Sequence, residues 1–240
     1  MKINYNTFWD EQISSHSFHP SVRLRNKFIL SNLKKIWFDS IIDVWCWDWE
    51  LLNRIKMHFS NKRYFWTDIS DKVIERDKNN IENIEFFVSD IWDNKFNVNQ
   101  GFDIVIASEV IEHIGNWQMV IKNLSKIINK NWYCILTTQS WKRYKSDINI
   151  WHLKHFQLNE LENEFKKYWV IVVKSYKKWW PFYNMQKWLY EKIESRAKNI
   201  QKGKLTFFSK IIFVITYYLF LFSLKSKKIW PQIFMVLKKV

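Results

Sequence analysis

The chain has 240 residues, a formal net charge of +15 and two cysteines, Cys46 and Cys134. This length accommodates one full core with an appendage, and two cysteines exclude a disulfide framework, so we expect a reducing, cytoplasmic setting. The charge is uneven, because residues 1–120 hold 14 Lys/Arg and 17 Asp/Glu whereas residues 121–240 hold 24 and 6. The second half favours anionic partners such as lipid headgroups, phosphorylated sugars or nucleic acid; AT-rich codon usage is the alternative source of its lysines.

Short apolar runs alternate with helical runs along the chain. After a helical stretch at 10–36, strands are predicted at 40–44, 63–67, 84–88, 102–108, 133–138, 170–176 and 231–239. Helices are predicted between them at 49–59, 71–79, 117–128 and 158–168, the last with Asn159 as its cap. The alternation predicts an α/β fold with a Rossmann-like, doubly wound, seven-stranded, mostly parallel sheet and helices on both faces.

The region 181–228 departs from the alternation. An amphipathic helix is followed by an almost wholly apolar segment at 205–224, whose uncharged core of residues 211–224 is shorter than the roughly 20 residues that a bilayer span needs. We therefore predict three parts: an N-terminal helical cap at 1–37, a sheet domain at 38–180 and 229–240, and a helical insertion at 181–228. The insertion is interpreted as a buried lid or as a helix at a membrane interface, which would place the protein on the inner face of the membrane.

The sequence has too few glycines and too many tryptophans. About 7% Gly is usual, which predicts roughly 17 in this chain, but it has 3 Gly and 16 Trp. Many tryptophans also stand where turns or helix ends are expected, although a bulky side chain resists positive φ. We interpret these as positions where a codon such as UGA encodes glycine, namely Trp37, Trp45, Trp47, Trp49, Trp66, Trp132, Trp141, Trp151, Trp169, Trp179 and Trp230. Tryptophan is expected to be genuine at Trp9, Trp117, Trp180 and Trp188, and Trp92 is undecided.

With glycine at 45, 47 and 49, the string DVWCWDW at 43–49 becomes DVGCGDG. In that form it resembles the cofactor loop of the class I S-adenosylmethionine (SAM) methyltransferases, in particular the type 11/12 group and enzymes similar to quinone-biosynthesis O-methyltransferases. The resemblance covers about residues 18–139 and the ending PQIFMVLKK. It implies that SAM is the cofactor and that the backbone of this loop approaches it closely, which three indoles would prevent.

The resemblance also implies roles for particular residues. Asp43 would orient the methionine amine, Asp68 would bind the ribose hydroxyls, Asp90 would bind the adenine amino group and Ile91 would pack on the ring. Arg23 would lie near the cofactor carboxylate, although a solvated basic helix face is the alternative. The complete set of expected cofactor-binding positions is Arg23, Asp43, Trp45, Cys46, Trp47, Trp49, Asp68, Ile69, Ser89, Asp90, Ile91, Ser108 and Glu109.

Three histidines are candidates for the base that an oxygen nucleophile requires, since imidazole titrates near neutral pH. His113 lies in ASEVIEHI, and His152 and His155 lie in WHLKHF. No metal site is evident from the sequence. The expected acceptor is a small molecule or a lipid-like compound, such as a quinone-like ring or a cell-envelope glycan, and an anionic membrane surface is a candidate partner.

Two alternatives remain. A nucleic-acid methyltransferase is supported by the charge alone, and the amino-methylating families carry an Asn/Asp-Pro-Pro-Tyr-type string where this chain has Ser108-Glu109-Val110-Ile111. A non-catalytic protein with the same fold is supported by the bulky residues in the cofactor loop. The presence of Asp43, Asp68, Asp90 and Glu109 at the positions that match the family argues against that reading.

Overall fold

A computed structural model of the chain describes residues 18–45, 50–79, 82–96, 98–192, 207–225 and 231–240. Seven strands form one sheet: β1 (Ser40–Val44), β2 (Arg63–Asp68), β3 (Glu85–Val88), β4 (Phe102–Ser108), β5 (Ile128–Gln139), β6 (Val170–Lys178) and β7 (Gln232–Lys239). The described α-helices are α1 (Pro20–Leu33), α2 (Glu50–His58), α3 (Asp71–Lys78), α4 (Trp117–Ile127), α5 (Lys145–Asn149), α6 (Leu158–Lys166), α7 (Phe182–Lys192) and α8 (Phe207–Phe222).

The strand order is β3-β2-β1-β4-β5-β7-β6. Strands β1 to β5 pair in parallel, whereas β7 runs antiparallel to both β5 and β6. The predicted α/β class, the seven strands and their mostly parallel arrangement are therefore confirmed. The order reverses between β1 and β4, and such a reversal opens a crevice at the carboxyl ends of the strands where ligands bind.

Alternate side chains of the central strands feed two cores, one on each face. In β4, Val105 and Ala107 belong to the core beneath α4 and α6, whereas Ile104 and Ile106 belong to the core shared with α1 and α2. These central strands are buried on both sides, as a parallel sheet covered by helices requires. The packing fixes the strand ends, from which the polar side chains of the candidate site emerge.

Two element boundaries differ from the sequence predictions. Strand β5 begins at Ile128, five residues before the predicted start, because it follows α4 directly. The predicted cap Asn159 is wrong: Leu158 is the first helical residue of α6, Gln157 occupies the cap position, and the Asn159 side chain accepts from the amide of Glu160. An asparagine two residues from the true cap gives the same local sequence signal, so the pattern alone misplaced the start.

Helix α8 packs against α1 and leaves much of its apolar surface exposed. Phe213 and Phe220 are buried, whereas Ile212, Ile215 and Phe222 are more than half exposed. Among the described residues, no helix has the length and apolarity that a membrane crossing requires. The structure thus gives a surface helix with one buried stripe where the sequence predicted either a lid or an interfacial segment.

Candidate active site at the carboxyl edge of the sheet

Three carboxylates lie at the ends of neighbouring strands. Asp43 is buried in β1 one residue before its end, and Asp68 is the last residue of β2. Asp90 follows β3 by two residues. Since these strands are parallel, the three acids share one edge of the sheet, which is where the resemblance places the cofactor's amine, ribose and adenine.

Local hydrogen bonds hold two of these carboxylates. The Asp68 carboxylate accepts from the amide of Ser70 at 2.8 Å, and Ser70 caps α3 by accepting from the amide of Val73. The Asp90 carboxylate accepts from the amide of Trp92 at 3.0 Å. Burial raises the pKa of Asp90, an effect that this amide bond opposes. The side chain of Ile91 is buried in the core beside this turn.

The indole of Trp45 occupies the crevice at the end of β1. Trp45 has φ 57° and is 5% exposed. Its ring lies 5.2 Å from the ring of Trp92 and 5.6 Å from the ring of His113, measured between centroids. The side chain therefore lies between the turn that follows β3 and the polar cluster that follows β4. Cys46, Trp47 and Trp49, also expected to bind the cofactor, lie outside the described residues.

Positive φ recurs at tryptophan. Nine non-glycine residues among those described have positive φ: five are tryptophans, three are asparagines, which tolerate this region, and one is Glu109. The five are Trp45, Trp141, Trp151, Trp169 and Trp179. All five are among the positions assigned to glycine from the sequence, and Trp117, Trp180 and Trp188, expected to be genuine, have no positive φ.

Other tryptophans at suspected glycine positions have ordinary backbones. Trp66 is fully buried in β2 and packs against Phe86 at 5.5 Å, although its indole N–H has no partner within the described residues. Trp37 is exposed and lies near Trp132, with 6.3 Å between ring centroids. Trp230 lies outside the described residues, as does Trp9. The backbone evidence for glycine is thus confined to the five positive-φ positions.

A second group of polar residues surrounds Glu109, which follows β4 with φ 59°. Its carboxylate accepts from Thr137, Gln139 and Gln232, at 3.1, 2.6 and 2.7 Å. The guanidinium of Arg25 lies 3.6 Å away, and it acts with these bonds against desolvation to lower the pKa of Glu109. Ser108 is hydrogen bonded to Thr137 at 2.9 Å. The Glu109 carboxylate is therefore stabilised as an anion by three hydrogen-bond donors and one guanidinium.

The arginine that reaches this network is Arg25. Arg23, the expected cofactor ligand, is exposed and its guanidinium lies 4.4 Å above the ring of Tyr217 in α8. The two arginines are two positions apart on α1 and so point to different sides of the helix. The sequence position alone did not separate them.

The three candidate histidines come together next to Glu112. The rings of His113 and His152 are 4.8 Å apart, and His152 Nδ1 lies 3.0 Å from His155 Nε2. Burial lowers the pKa of His113 and of His155 to about 4, and it lowers the pKa of His152 further. Burial and the charge of Glu109 raise the pKa of Glu112 well above its ordinary value. Burial therefore disfavours the charged forms of Glu112 and of the three histidines.

Sequence analysis missed the extent of this cluster. Glu112 and Asp147 were not among the expected site residues, yet Glu112 is fully buried and Asp147 lies within 4 Å of both His152 and His155. The available signals were the adjacent Glu112-His113 pair and the His152-x-x-His155 spacing. Their convergence depends on the path of the chain between 140 and 156, which no short motif specifies.

The family comparison identifies a methyltransferase domain. Residues 43–131 match the family described as "Methyltransferase domain", of type 12. No curated protein sequence matches the chain.

Several solved structures with the same fold are methyltransferases. The N-methyltransferase NodS from Bradyrhizobium japonicum WM9, in complex with S-adenosyl-L-homocysteine (SAH), is 11% identical with a TM-score of 0.60, covering 98% of this chain and 97% of NodS. A SAM-dependent methyltransferase from Clostridium acetobutylicum is 11% identical with a TM-score of 0.58, covering 90% and 91%. Coclaurine N-methyltransferase, bound to N-methylheliamine and SAH, is 16% identical with a TM-score of 0.56, covering 89% and 72%.

The fold and the domain match together define the class of protein, a class I methyltransferase with a Rossmann-like sheet. The methyltransferase domain, residues 43–131, includes the strand ends that carry Asp43, Asp68 and Asp90.

Proposed function

We propose that this methyltransferase acts on an oxygen of a small or lipid-like acceptor. The observation that carries the proposal is the position of the Glu112–His113–His152–His155 cluster, which begins one ring contact from the cofactor loop at Trp45. An oxygen nucleophile must lose a proton, and this cluster offers buried groups able to hold the oxygen and accept that proton.

We assign the cofactor contacts by position. Asp43 would hold the methionine amine, Asp68 the ribose hydroxyls and Asp90 the adenine amino group, with Ile91 beneath the ring. Ser108 and Glu109 would border the methyl-donor side. Bound SAM would supply an electrophilic methyl group. The acceptor oxygen would take that methyl group as the bond from carbon to sulfur breaks with its electron pair going to sulfur, and an imidazole of the cluster would take the hydroxyl proton.

The acidic residues fit SAM, but the indole of Trp45 does not leave room for it. We propose that residue 45 and the other positive-φ tryptophans are glycines in the native host, through reassignment of a stop-type codon. Glycine would remove the indole from between Trp92 and His113 and would relieve the backbone at φ 57°. Peptide mass spectrometry of the protein from its native host tests this, and tryptophan masses at 45, 141 and 169 would refute it.

SAH binding tests the cofactor assignment. Calorimetric titration of the chain with Trp45, Trp47 and Trp49 all changed to glycine should show binding, and Asp68→Asn in that background should weaken it by at least about tenfold, the loss of about 1.4 kcal/mol. Trp188→Gly, on the exposed face of α7, is the matched control. Made alone in the chain that keeps Trp45, Trp47 and Trp49, it should give no measurable SAH binding. If the glycine variant is folded and binds no SAH, the non-catalytic reading replaces this one.

We propose an anionic membrane as the site of the acceptor. The support is the exposed apolar surface of α8, with Phe207 and Phe222 about three-quarters exposed and Lys210 and Lys225 at its borders. Flotation with vesicles containing anionic lipid should recover the protein, and Ile212→Ser with Ile215→Ser should release it. Met57→Ser, at a still more exposed apolar residue on α2, is the control. No association with the vesicles would sink this part of the proposal.

A further inference from the structure

Two groups of side chains in the histidine cluster have the composition of a metal site. Glu112, His113 and His152 form one group, and Asp147, His152 and His155 form the other; within each group the candidate ligand atoms all lie within 4.8 Å of one another. Each combines one carboxylate with two imidazoles, a donor set that suits borderline first-row divalent cations such as Zn²⁺ and Mn²⁺. The groups share His152, so they compete for one ring.

The group around Asp147 is already satisfied without a cation. One carboxylate oxygen of Asp147 contacts the ammonium of Lys187, and the other accepts from the amide of Tyr144 at 2.8 Å. Lys187 therefore supplies the positive charge that a metal would bring.

The group around Glu112 has one carboxylate oxygen with no such partner. Oε2 accepts from the hydroxyl of Thr138 at 2.8 Å, whereas Oε1 is buried and has no hydrogen-bond partner within the described residues. The whole Glu112 side chain is fully buried. A buried carboxylate oxygen is costly to leave unsatisfied, and a cation between it and two imidazoles would satisfy it.

The neighbouring group orients the shared ring. His152 Nδ1 faces His155 at 3.0 Å and Asp147 at 3.8 Å, so Nε2 is the nitrogen that His152 can offer to Glu112 and His113. Metal-binding histidines commonly use their second nitrogen in this way, with a carboxylate fixing the ring.

We propose that Glu112, His113 and His152 bind one divalent first-row cation, with Asp147 and His155 as positioning residues for His152. Three protein ligands leave coordination positions open, as catalytic metal sites require. Because His113 borders the cofactor loop, an acceptor would coordinate through its oxygen on the side facing the methyl donor. This role rests on the proposed function and narrows the acceptor to hydroxyl compounds that can bind a metal. His113 and His152 would then act as ligands in place of bases, and the cation would lower the pKa of the bound hydroxyl so that its proton passes to water.

Metal binding can be measured on the full chain without methylation. Chelator-treated protein is titrated with Mn²⁺, followed by loss of the free-ion electron paramagnetic resonance signal, and with Zn²⁺ against a chromophoric chelator. We expect one equivalent per chain, with Glu112→Gln and His152→Gln each weakening binding at least about tenfold. Glu164→Gln, at a buried carboxylate on α6 that pairs with Lys167, is the matched control and should bind like the parent chain.

Three results would overturn the assignment: no stoichiometric binding by the folded parent chain, unchanged affinity in folded Glu112→Gln, or a larger loss in Asp147→Asn than in Glu112→Gln, which would place the cation in the other group. Circular dichroism and thermal melting confirm that each variant is folded. SAH titration of the triple glycine variant separates the two proposals. Metal binding without SAH binding would support the metal site and refute the proposed methyl transfer. SAH binding without metal binding would support the methyltransferase and refute the metal site.

Discussion

The side-chain amide of Gln232 donates to Glu109 at 2.7 Å, joining residues that are 123 positions apart. The same amide donates to the carbonyl of Thr138 at 3.0 Å, and the Gln232 carbonyl accepts from Gln139 at 2.8 Å. The first residue of β7 thus fixes the carboxylate that follows β4. The antiparallel strand contributes directly to the active-site edge.

This relationship predicts a large loss of stability for Gln232→Leu. The change leaves Glu109 and Gln139 short of partners in a buried site, which we expect to cost about 2–4 kcal/mol of unfolding free energy. Urea denaturation measures it. Gln118→Leu, on the exposed face of α4, should shift the unfolding free energy by less than about 0.5 kcal/mol. Equal shifts in the two variants would show that the Glu109 network contributes little.

We predict that replacing Trp169, unlike replacing Gln232, stabilises the protein. This residue has φ 59° and is 74% exposed after α6, so its side chain gains little from burial while its backbone is strained. Trp169→Gly should raise the unfolding free energy by about 1 kcal/mol, because glycine enters this region without steric cost. Trp188→Gly, also exposed but within α7, should lower it by about 0.5 kcal/mol through reduced helix propensity. Destabilisation by both changes would contradict a glycine conformation at 169.

Because of the buried Lys177, we predict that the unfolding free energy of the chain rises at alkaline pH. Its side chain is buried and hydrogen bonded to Gln157 at 2.6 Å, and burial lowers its pKa to about 8. Below pH 8 both folded and unfolded chains carry the proton, so the cost of the buried charge is constant. Between pH 8 and the unfolded pKa of about 10.4 the folded chain releases the proton first, and the unfolding free energy rises by about 3 kcal/mol at most.

Chemical denaturation at pH 7, 8, 9 and 10 measures this rise. Lys177→Met should lack it, whereas Lys126→Met, on the exposed surface of α4, should keep the parent profile. Parallel pH profiles for the parent chain and Lys177→Met would show that the Lys177 ammonium is not opposed by burial.

We predict that the thiol of Cys134 is alkylated slowly in the native protein. The residue lies within β5, fully buried, and burial raises the pKa of its thiol to about 12. Since the thiolate is the reactive form, the peptide containing Cys134 should remain unmodified by iodoacetamide in the native protein and become fully alkylated in urea. Mass spectrometry of that peptide measures both states. Rapid native alkylation would indicate that the centre of the sheet opens readily.

The sequence predicted the sheet better than the site. Apolar runs bounded by turns located every strand, since each central strand is covered on both faces and leaves a strong local signal. The position of β7 between β5 and β6 depends on pairing that no run of residues encodes. The proximity of the acids at the carboxyl ends of β1, β2 and β3 was predictable because parallel strands place these ends together. Glu112 and Asp147 were not, because their proximity arises from a loop folding back over β4, and Arg25 differs from Arg23 only by its side of a helix.

The place of β7 in the sheet also orders the assembly of the molecule during synthesis. Among the described strands, β7 is the one partner of β6 in the sheet. β6 therefore has no strand to pair with until residues 232–239 have left the ribosome. Until then the nascent chain can form the half of the sheet that carries Asp43, Asp68 and Asp90. The Glu109 carboxylate lacks the hydrogen bond from Gln232 until that residue has been made. The half of the sheet that carries Asp43, Asp68 and Asp90 can therefore form early, and the network around Glu109 is completed only when β7 pairs.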